Sequence, residues 1–350
     1  LSYSKEATDM SSIITLAHGS GGIKTGELIN KVIRSIISFK KVSSGVGLDD
    51  LDDSAIIPLN GEMLLALTID SYTVKPIFFP GGDIGKLAIT GTINDLAVMG
   101  ALPIAIVDSI VVEEGFSIDN LRRIVQSMNE VSVKEGVAIV GGDFKVMPKG
   151  NVDEIVITTA GIGLVRKNEL VLDSGAKVGD KVIVTGTIGE HGATILAMQL
   201  ELEATDFNLL SDCSPITKVI REVLSIGGLH AAKDPTRGGL ATALNDIAKK
   251  SQVNIVIRER DIPISRGVRA ICELTGIDPL HLACEGRAVM VVDGEVAETI
   301  INKLRNIGCS DASIIGEVTE EGEGLVFLKS VVGGTRIIDP PRGEVVPRIC

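Results

Sequence analysis

The chain has 350 residues, of which 45% are hydrophobic but only 3% aromatic, and its formal net charge is −12. That length exceeds one average core and favours two compact domains, and a core of Ile, Val, Leu and Ala rather than large rings suits sheets covered by helices. The acidity excludes a broad nucleic-acid surface, which needs clustered Lys and Arg to release counterions, but leaves open a nucleotide bound through metal ions. Five cysteines with no CxxC pair exclude a disulfide framework or zinc site and fit a reducing cytoplasm. Residues 1–10 lack an apolar core, and no stretch approaches the roughly 20 apolar residues of a membrane helix. A soluble, cytoplasmic protein without membrane contact is expected, with Met10 rather than Leu1 as its natural start.

In chain order, residues 63–70 (MLLALTID) read as a buried central strand delivering Asp70 to its tip. Small and apolar residues at helical spacing predict a helix over 83–99 that carries Lys86 and Asp95. A strand over 104–112, an amphipathic helix over 118–135 and a strand over 137–140 follow, with Gly141-Gly142-Asp143 placed after that strand. A strand over 154–163 and the polar step Arg166-Lys167-Asn168 close a first domain, 1–166. In a second domain, 167–334, strands are predicted over 181–186, 288–292 and 324–328, a helix over 193–202, and a loop leading into a helix over 234–249. Strands and helices mix without strict alternation, so the fold class is α+β rather than doubly wound. The tail, 335–350, ends in DPPRGEVVPRIC. Pro340, Pro341 and Pro347 forbid continuous helix there and leave an extended, mobile arm, advancing about 3.1 Å per residue.

Asp52, Asp53, Asp70, Asp95 and Asp143 each sit beside small or apolar residues at an expected element end, where a stray carboxylate is costly to desolvate. Converging, they require a cation, and carboxylates with phosphate oxygens form a ligand set for Mg²⁺ at a triphosphate site. Taken singly, each is more often a cap or turn residue. The run His18-Gly19-Ser20-Gly21-Gly22 offers backbone N–H groups to phosphates, or a flexible turn. Residues 80–87 (PGGDIGKL) lack the first glycine of a P-loop and place Leu87 where a hydroxyl must bind metal, and GxGxxG is absent, so neither a P-loop nor a Rossmann site is indicated.

Asp234-Pro235-Thr236-Arg237-Gly238-Gly239 sets a carboxylate, a hydroxyl, a guanidinium and two glycines before a helix. Such a set grips an anion, or is a turn with an N-cap. Glu285, in Cys284-Glu285-Gly286-Arg287, is either a general base or the ion-pair partner of Arg287. The four histidines lack HxxH or HExxH spacing, against a zinc hydrolase. Cys213, Cys272, Cys284 and Cys309 read as ordinary thiols. Cys350, ending a mobile arm, reads as a solvent-exposed carrier thiol with an unperturbed pKa of about 8.5.

The run FFPGGDIGKLAITGTINDLAVMGA, the segments GGDFK and DPTRGGLATALNDIA, the EGR triplet and the ending PRIC together resemble the HypE family of nickel-iron hydrogenase maturation proteins, across roughly 18–350. Relatives in the same superfamily are aminoimidazole ribonucleotide synthetase, selenophosphate synthetase and thiamine monophosphate kinase. The resemblance implies a two-domain fold of the aminoimidazole ribonucleotide synthetase type that forms a homodimer through its N-terminal sheet and binds ATP and Mg²⁺ near the domain junction. It implies Asp53, Asp70, Asp95 and Asp143 as metal and phosphate ligands, with Lys86, Asn94, Asp234, Thr236 and Arg237 near the nucleotide. It assigns catalysis to Cys350, Glu285 and Lys145. The chain departs from the family pattern in GSGG, where an all-glycine run is common, and in Cys284, where Asn commonly precedes the Glu.

The implied reaction begins when the HypF carbamoyltransferase places a carbamoyl group on Cys350 as a thiocarbamate. ATP-dependent dehydration turns it into a thiocyanate, and the cyano group passes to iron on the HypC and HypD complex. The alternatives are another ATP-using enzyme of the superfamily and a non-catalytic thiol carrier.

Overall fold

Strand parity and helix caps account for the elements of this computed structural model, which describes residues 13–343 and 345–350. Residues 1–12, with Met10 among them, and Glu344 lie outside the described residues. Helix α1 (Ile23–Leu28) precedes strands β1 (Ala55–Pro58) and β2 (Met63–Tyr72). The short strands β3 (Phe78–Phe79) and β4 (Gly82–Asp83) pair and lead into helix α2 (Ile84–Val98). Strand β5 (Leu102–Glu113), helix α3 (Ile118–Glu135) and strands β6 (Ala138–Met147) and β7 (Ile155–Arg166) follow. The sheet runs β1-β2-β7-β5-β6. It is antiparallel except at β5-β6, where α3 returns the chain in the same direction.

The second half builds β8 (Lys181–Val184), α4 (Glu190–Gln199), α5 (Thr217–Ile226), β9 (Leu229–Lys233), α6 (Gly239–Ser251), β10 (Val253–Arg258) and α7 (Arg266–Thr275). It ends with β11 (Val289–Val292), α8 (Ala297–Asn306), β12 (Ser313–Glu321), β13 (Val326–Lys329) and β14 (Thr335–Ile337). These strands form a seven-stranded sheet, β14-β13-β10-β12-β8-β11-β9. The α+β expectation holds in both halves.

Helix α2 starts because the Asp83 carboxylate accepts from the N–H groups of Gly85 and Lys86. It is buried on nearly every side, lying between the first sheet, α3 and α5, which is why its apolar residues make no single stripe. Asn94 makes the crossing to the second half: its amide donates toward the carbonyls of Ser214 (3.3 Å) and Glu285 (3.2 Å) and accepts from Ile216 N–H (2.9 Å).

Three expectations are corrected. The 63–70 strand is not buried on both faces: Leu64, Ala66 and Thr68 are buried while Leu67 and Ile69 are exposed, the alternation of an antiparallel strand covered on one side. The strand predicted over 137–140 does not stop at the glycines. Its ladder with β5 absorbs a bulge between Ile106 and Val107 and continues to Met147, so GGDFK lies within the strand. The tail is not a free arm; Val346 is buried and Val345, Ile349 and Cys350 pack against the core between the halves.

Candidate active site

Residues from both halves converge on one acidic cluster. Parity puts Asp70 on the covered face of β2 with Thr68, facing α2. Thr68 Oγ1 lies 2.8 Å from Asp95 Oδ2 and 3.0 Å from the main-chain oxygen of Asp53. Ser54 donates to the Asp95 carbonyl at 3.1 Å, tying the LDDS loop to α2. From the second half, Lys233 Nζ reaches Asp53 Oδ1 at 2.5 Å, and Arg237 Nη2 lies 3.6 Å from Asp70 Oδ1.

The DPTRGG turn needs its glycines. Gly238 and Gly239 both adopt positive φ (81° and 61°), and a Cβ on Gly239 would stand 2.6 Å from the Leu282 carbonyl. This turn therefore packs directly on the loop that carries Glu285, and Cys284 N–H donates to the Pro235 carbonyl at 2.9 Å. The Cys284 thiol faces Gly189 N–H at 3.1 Å, inside the core of the second half. Arg287 goes to the carbonyls of Thr187 and Gly286, with Asp212 3.7 Å away, so it is not the partner of Glu285. Glu285 is 2% exposed, and its Oε1 has no hydrogen-bond partner.

Burial, reinforced by Asp234, Asp212 and Asp70 and opposed by Arg237, drives the Glu285 carboxyl well above its usual range. Burial and neighbouring carboxylates likewise raise Asp95, and push Asp234 up to about 6 against the pull of Lys233. Burial alone would lower Lys233, but Asp53 and Asp173 outweigh it and hold the ammonium well above its usual range. Burial also pushes Asp53 upward. We take the ion pair as the resting form, since a neutral Asp53 would leave an 8%-exposed ammonium facing Asp173 alone.

The tail docks against this cluster. Cys350 O accepts from Thr73 N–H and Oγ1, both at 3.0 Å, and Arg348 O accepts from Lys75 N–H at 3.1 Å, so alternate carbonyls pair with the segment after β2 as an added strand would. Arg348 donates to the Thr73 carbonyl (2.7 Å) and pairs with Asp153. His191 Nε2 donates to the Ile349 carbonyl at 2.8 Å, while Nδ1 lies 2.8 Å from Ser211 Oγ. Beside the thiol is a cavity of about 200 Å³ whose lining includes Ser71, Arg237 and Cys350. Below it, a cleft of about 670 Å³ is lined by Gly21, Gly22, Lys233, Asp234, Thr236 and Arg237, a volume suited to a small ligand.

The docked thiol is thus not the solvent-exposed one expected. Burial pushes Cys350 up to about 12, with Arg237 opposing and Glu285 and Asp70 reinforcing the rise. At neutral pH the docked thiol is held as S–H far more completely than an ordinary thiol. We expect iodoacetamide to label Cys350 far more slowly in the folded protein than in a peptide ending PRIC, and Arg348→Ala to raise the rate at least about tenfold by loosening the tail. Mass mapping of the last peptide measures both, and equal rates in the two variants would count against docking through Arg348.

Two family models match the chain, AIR synthase related protein, N-terminal domain, over residues 51–165 and its C-terminal domain over 177–329. A putative hydrogenase expression/formation protein of Methanocaldococcus jannaschii is 48% identical over 342 residues, covering 96% of this chain and 99% of that protein. Carbamoyl dehydratase HypE of Cupriavidus necator is 38% identical over 352 residues, covering 100% of this chain and 98% of that protein. The chain belongs to the HypE family. Among solved structures, a HypE–HypF complex contains a chain that superposes with TM-score 0.82 at 40% identity, covering 90% of this chain and 99% of that one. HypE in complex with ATP superposes with TM-score 0.79 at 38% identity, covering 96% and 100%.

Of the residues that the HypE resemblance singles out, the structure gathers Asp53, Asp70, Asp95, Asp234, Arg237, Glu285 and Cys350, with Thr236 lining the adjoining cleft. Lys86 sits at the start of α2, its ammonium 2.6 Å from the Gly81 carbonyl. Asn94 has both ends of its amide engaged in the crossing between halves. Asp143 and Lys145 are not brought in. Asp143 is in register with Ser109, Thr158 and Ser71, so it projects from the sheet face opposite Asp70, on the edge strand, and pairs with Lys145 at 2.6 Å. Sequence reasoning missed Asp173, Lys233, Lys250 and His191. Lys233 alone carried a signal, a charge ending the apolar strand LHAAK immediately before Asp234.

Proposed function

We propose that the protein dehydrates a carbamoyl group carried on Cys350 as a thiocarbamate, using ATP, and so supplies the cyano ligand for the iron of a nickel-iron hydrogenase. The observation that carries this reading is the docked tail, which presents Cys350 to Arg237 and Glu285 beside the acidic cluster.

The donor set fits ATP with Mg²⁺. Asp53 Oδ2 and Asp234 Oδ2 are buried oxygens without partners, and hard oxygens of this kind suit a hard cation. Among the described residues no group of three or more His, Cys, Asp or Glu is assembled as a metal site, so phosphate oxygens would complete the coordination. Asp53, Asp70 and Asp95 would hold Mg²⁺, whose bound charge neutralises the phosphates.

The carbamoyl oxygen bonds to the γ-phosphorus as the bridging P–O bond breaks and ADP leaves. The C–O bond then breaks with phosphate as leaving group; one amide proton passes to a base and the other leaves with the phosphate, leaving S–C≡N. Phosphorylation converts an oxygen that cannot leave into one that can. Arg237 neutralises charge that develops beside the sulfur-borne group. Glu285, as carboxylate, takes an amide proton.

HypF would charge the thiol, and the HypC and HypD complex would accept the cyano group, in the cytoplasm. The working parts are 1–166, 167–334 and a tail, 335–350, of which 335–337 stay in the second sheet as β14 and Ile338 in its core while the segment beyond undocks. Leu67, Ile69, Leu102 and Val107 are exposed on the outer face of the first sheet, which supports a homodimer closing over that face. Asp143 and Lys145 share that face, and we assign them to the contact between copies. The test is ADP release with and without prior carbamoylation by HypF: turnover that rises only with the charged tail supports the reading, and turnover indifferent to it counts against it.

A further inference from the structure

Behind the acidic cluster lies a network of charge of which the proposed chemistry uses only Asp53. Asp173 is fully buried, and its Oδ2 receives two ammonium groups, Lys233 at 3.1 Å and Lys250 at 2.8 Å. Lys250 also meets Asp52 Oδ1 at 2.8 Å and the Leu51 carbonyl at 2.6 Å. Lys233 meets Asp53 Oδ1 at 2.5 Å. The contacts form an arc of alternating sign, Asp52, Lys250, Asp173, Lys233, Asp53, whose two acidic ends are joined by the backbone because Asp52 and Asp53 are consecutive. Ser251 anchors it by donating to the Asp173 carbonyl at 2.9 Å and accepting from Ala176 N–H at 3.1 Å.

Geometry separates the roles within the arc. Asp53 gives one oxygen to Lys233 and leaves the other buried and unpartnered, beside Asp234, which also has a buried unpartnered oxygen. Carboxylates that ligate metal are commonly held this way, one oxygen fixed by an outer partner while the other faces the ion. The Lys233 ammonium is itself fixed by Asp173 from the second half, so the LDDS loop of the first half is aimed by groups from the other side of the junction.

We propose that Lys233, anchored by Asp173, is a positioning residue that aims the free oxygen of Asp53 at the Mg²⁺ accompanying ATP. This rests on the nucleotide site proposed above. Lys233 acts through Asp53 and not on phosphate, so its removal weakens the metal-dependent part of ATP binding and no other part.

Calorimetric titration of ATP, once with Mg²⁺ and once with EDTA, tests this on the full chain. Lys233→Met and Asp53→Asn are each expected to weaken ATP binding in Mg²⁺ by about 10- to 100-fold and to leave the EDTA affinity unchanged. The double variant is expected to be no weaker than Asp53→Asn alone, because Lys233 acts only through that carboxylate. Lys233→Arg should recover most of the Lys233→Met loss. An equal loss in EDTA would mean that Lys233 touches phosphate directly, and losses that multiply in the double variant would mean that it does not act through Asp53; either overturns the proposal. If Lys233→Met does not fold, Asp173→Asn decides, since it keeps Lys233 but removes its anchor: a loss confined to Mg²⁺ is expected, and unchanged affinity overturns the proposal. A wild-type chain whose ATP affinity ignores Mg²⁺ would fail the nucleotide site itself, an outcome distinct from these.

Discussion

Cys350→Ala is expected to fold, to bind ATP as the wild type does, and to form no carbamoyl or cyano adduct at all. The tail's register is held by main-chain bonds to Thr73 and Lys75 and by Arg348 and His191, none of which needs the sulfur. Loss of a small, partly buried side chain costs on the order of 1 kcal/mol, within what a domain tolerates. Adduct formation is therefore separated from stability in this variant. Intact-protein mass spectrometry after incubation with HypF, carbamoyl phosphate and ATP reads it directly. An adduct on the alanine variant would move the carrier role to another of the free cysteines, Cys213, Cys272, Cys284 or Cys309.

Glu285→Gln is expected to keep carbamoylation and ATP binding but to slow dehydration by about 10²- to 10⁴-fold, the usual worth of a positioned proton acceptor. The pH profile gives the sign. Burial raises the Glu285 carboxyl well above its usual range, so the base is largely protonated at low pH and the wild-type rate should rise as pH rises through the raised value. Stability moves the other way. The folded chain holds that proton more tightly than the unfolded chain, so the contribution is complete below the ordinary carboxylate range of about 4 and is lost as pH climbs through the raised value. Glutamine removes both dependences. A flat wild-type rate profile, or a glutamine variant that dehydrates at full speed, would contradict the role of Glu285.

The parts of the fold that were legible share a cause. Helix 118–135 was readable because Ser117 caps it, an amphipathic period runs through it and Gly136 ends it in the left-handed region, all local signals. Helix α2 was readable from the Asp83 cap and from its run of small and apolar residues. Strands β9, β10 and β12 were missed because their pairing is long-range: Val289 of β11 meets Lys233 on one side and Val184 on the other, a neighbourhood that no window of sequence contains. Parity decided the site. Asp70 and Asp143 read alike as acids at strand ends, yet the register across four strands turns one toward α2 and the other outward. The tail misled for a related reason. Its prolines forbid helix, but the donors that hold its carbonyls, on Thr73, His191 and Gln199, lie more than a hundred residues away. Lys233 was hidden by its company, because an ammonium ending an apolar strand is explained only once Asp53 and Asp173 are in view.

The central claim is that one thiol carries the group through both steps. Mass spectrometry of the last peptide, first after HypF and carbamoyl phosphate and then after fresh ATP with Mg²⁺, tests it most directly. The account predicts a gain of one carbamoyl group on Cys350, followed by loss of one water that requires ATP. A chain that hydrolyses ATP while Cys350 stays unmodified, or that keeps its carbamoyl group intact through ATP turnover, would contradict it.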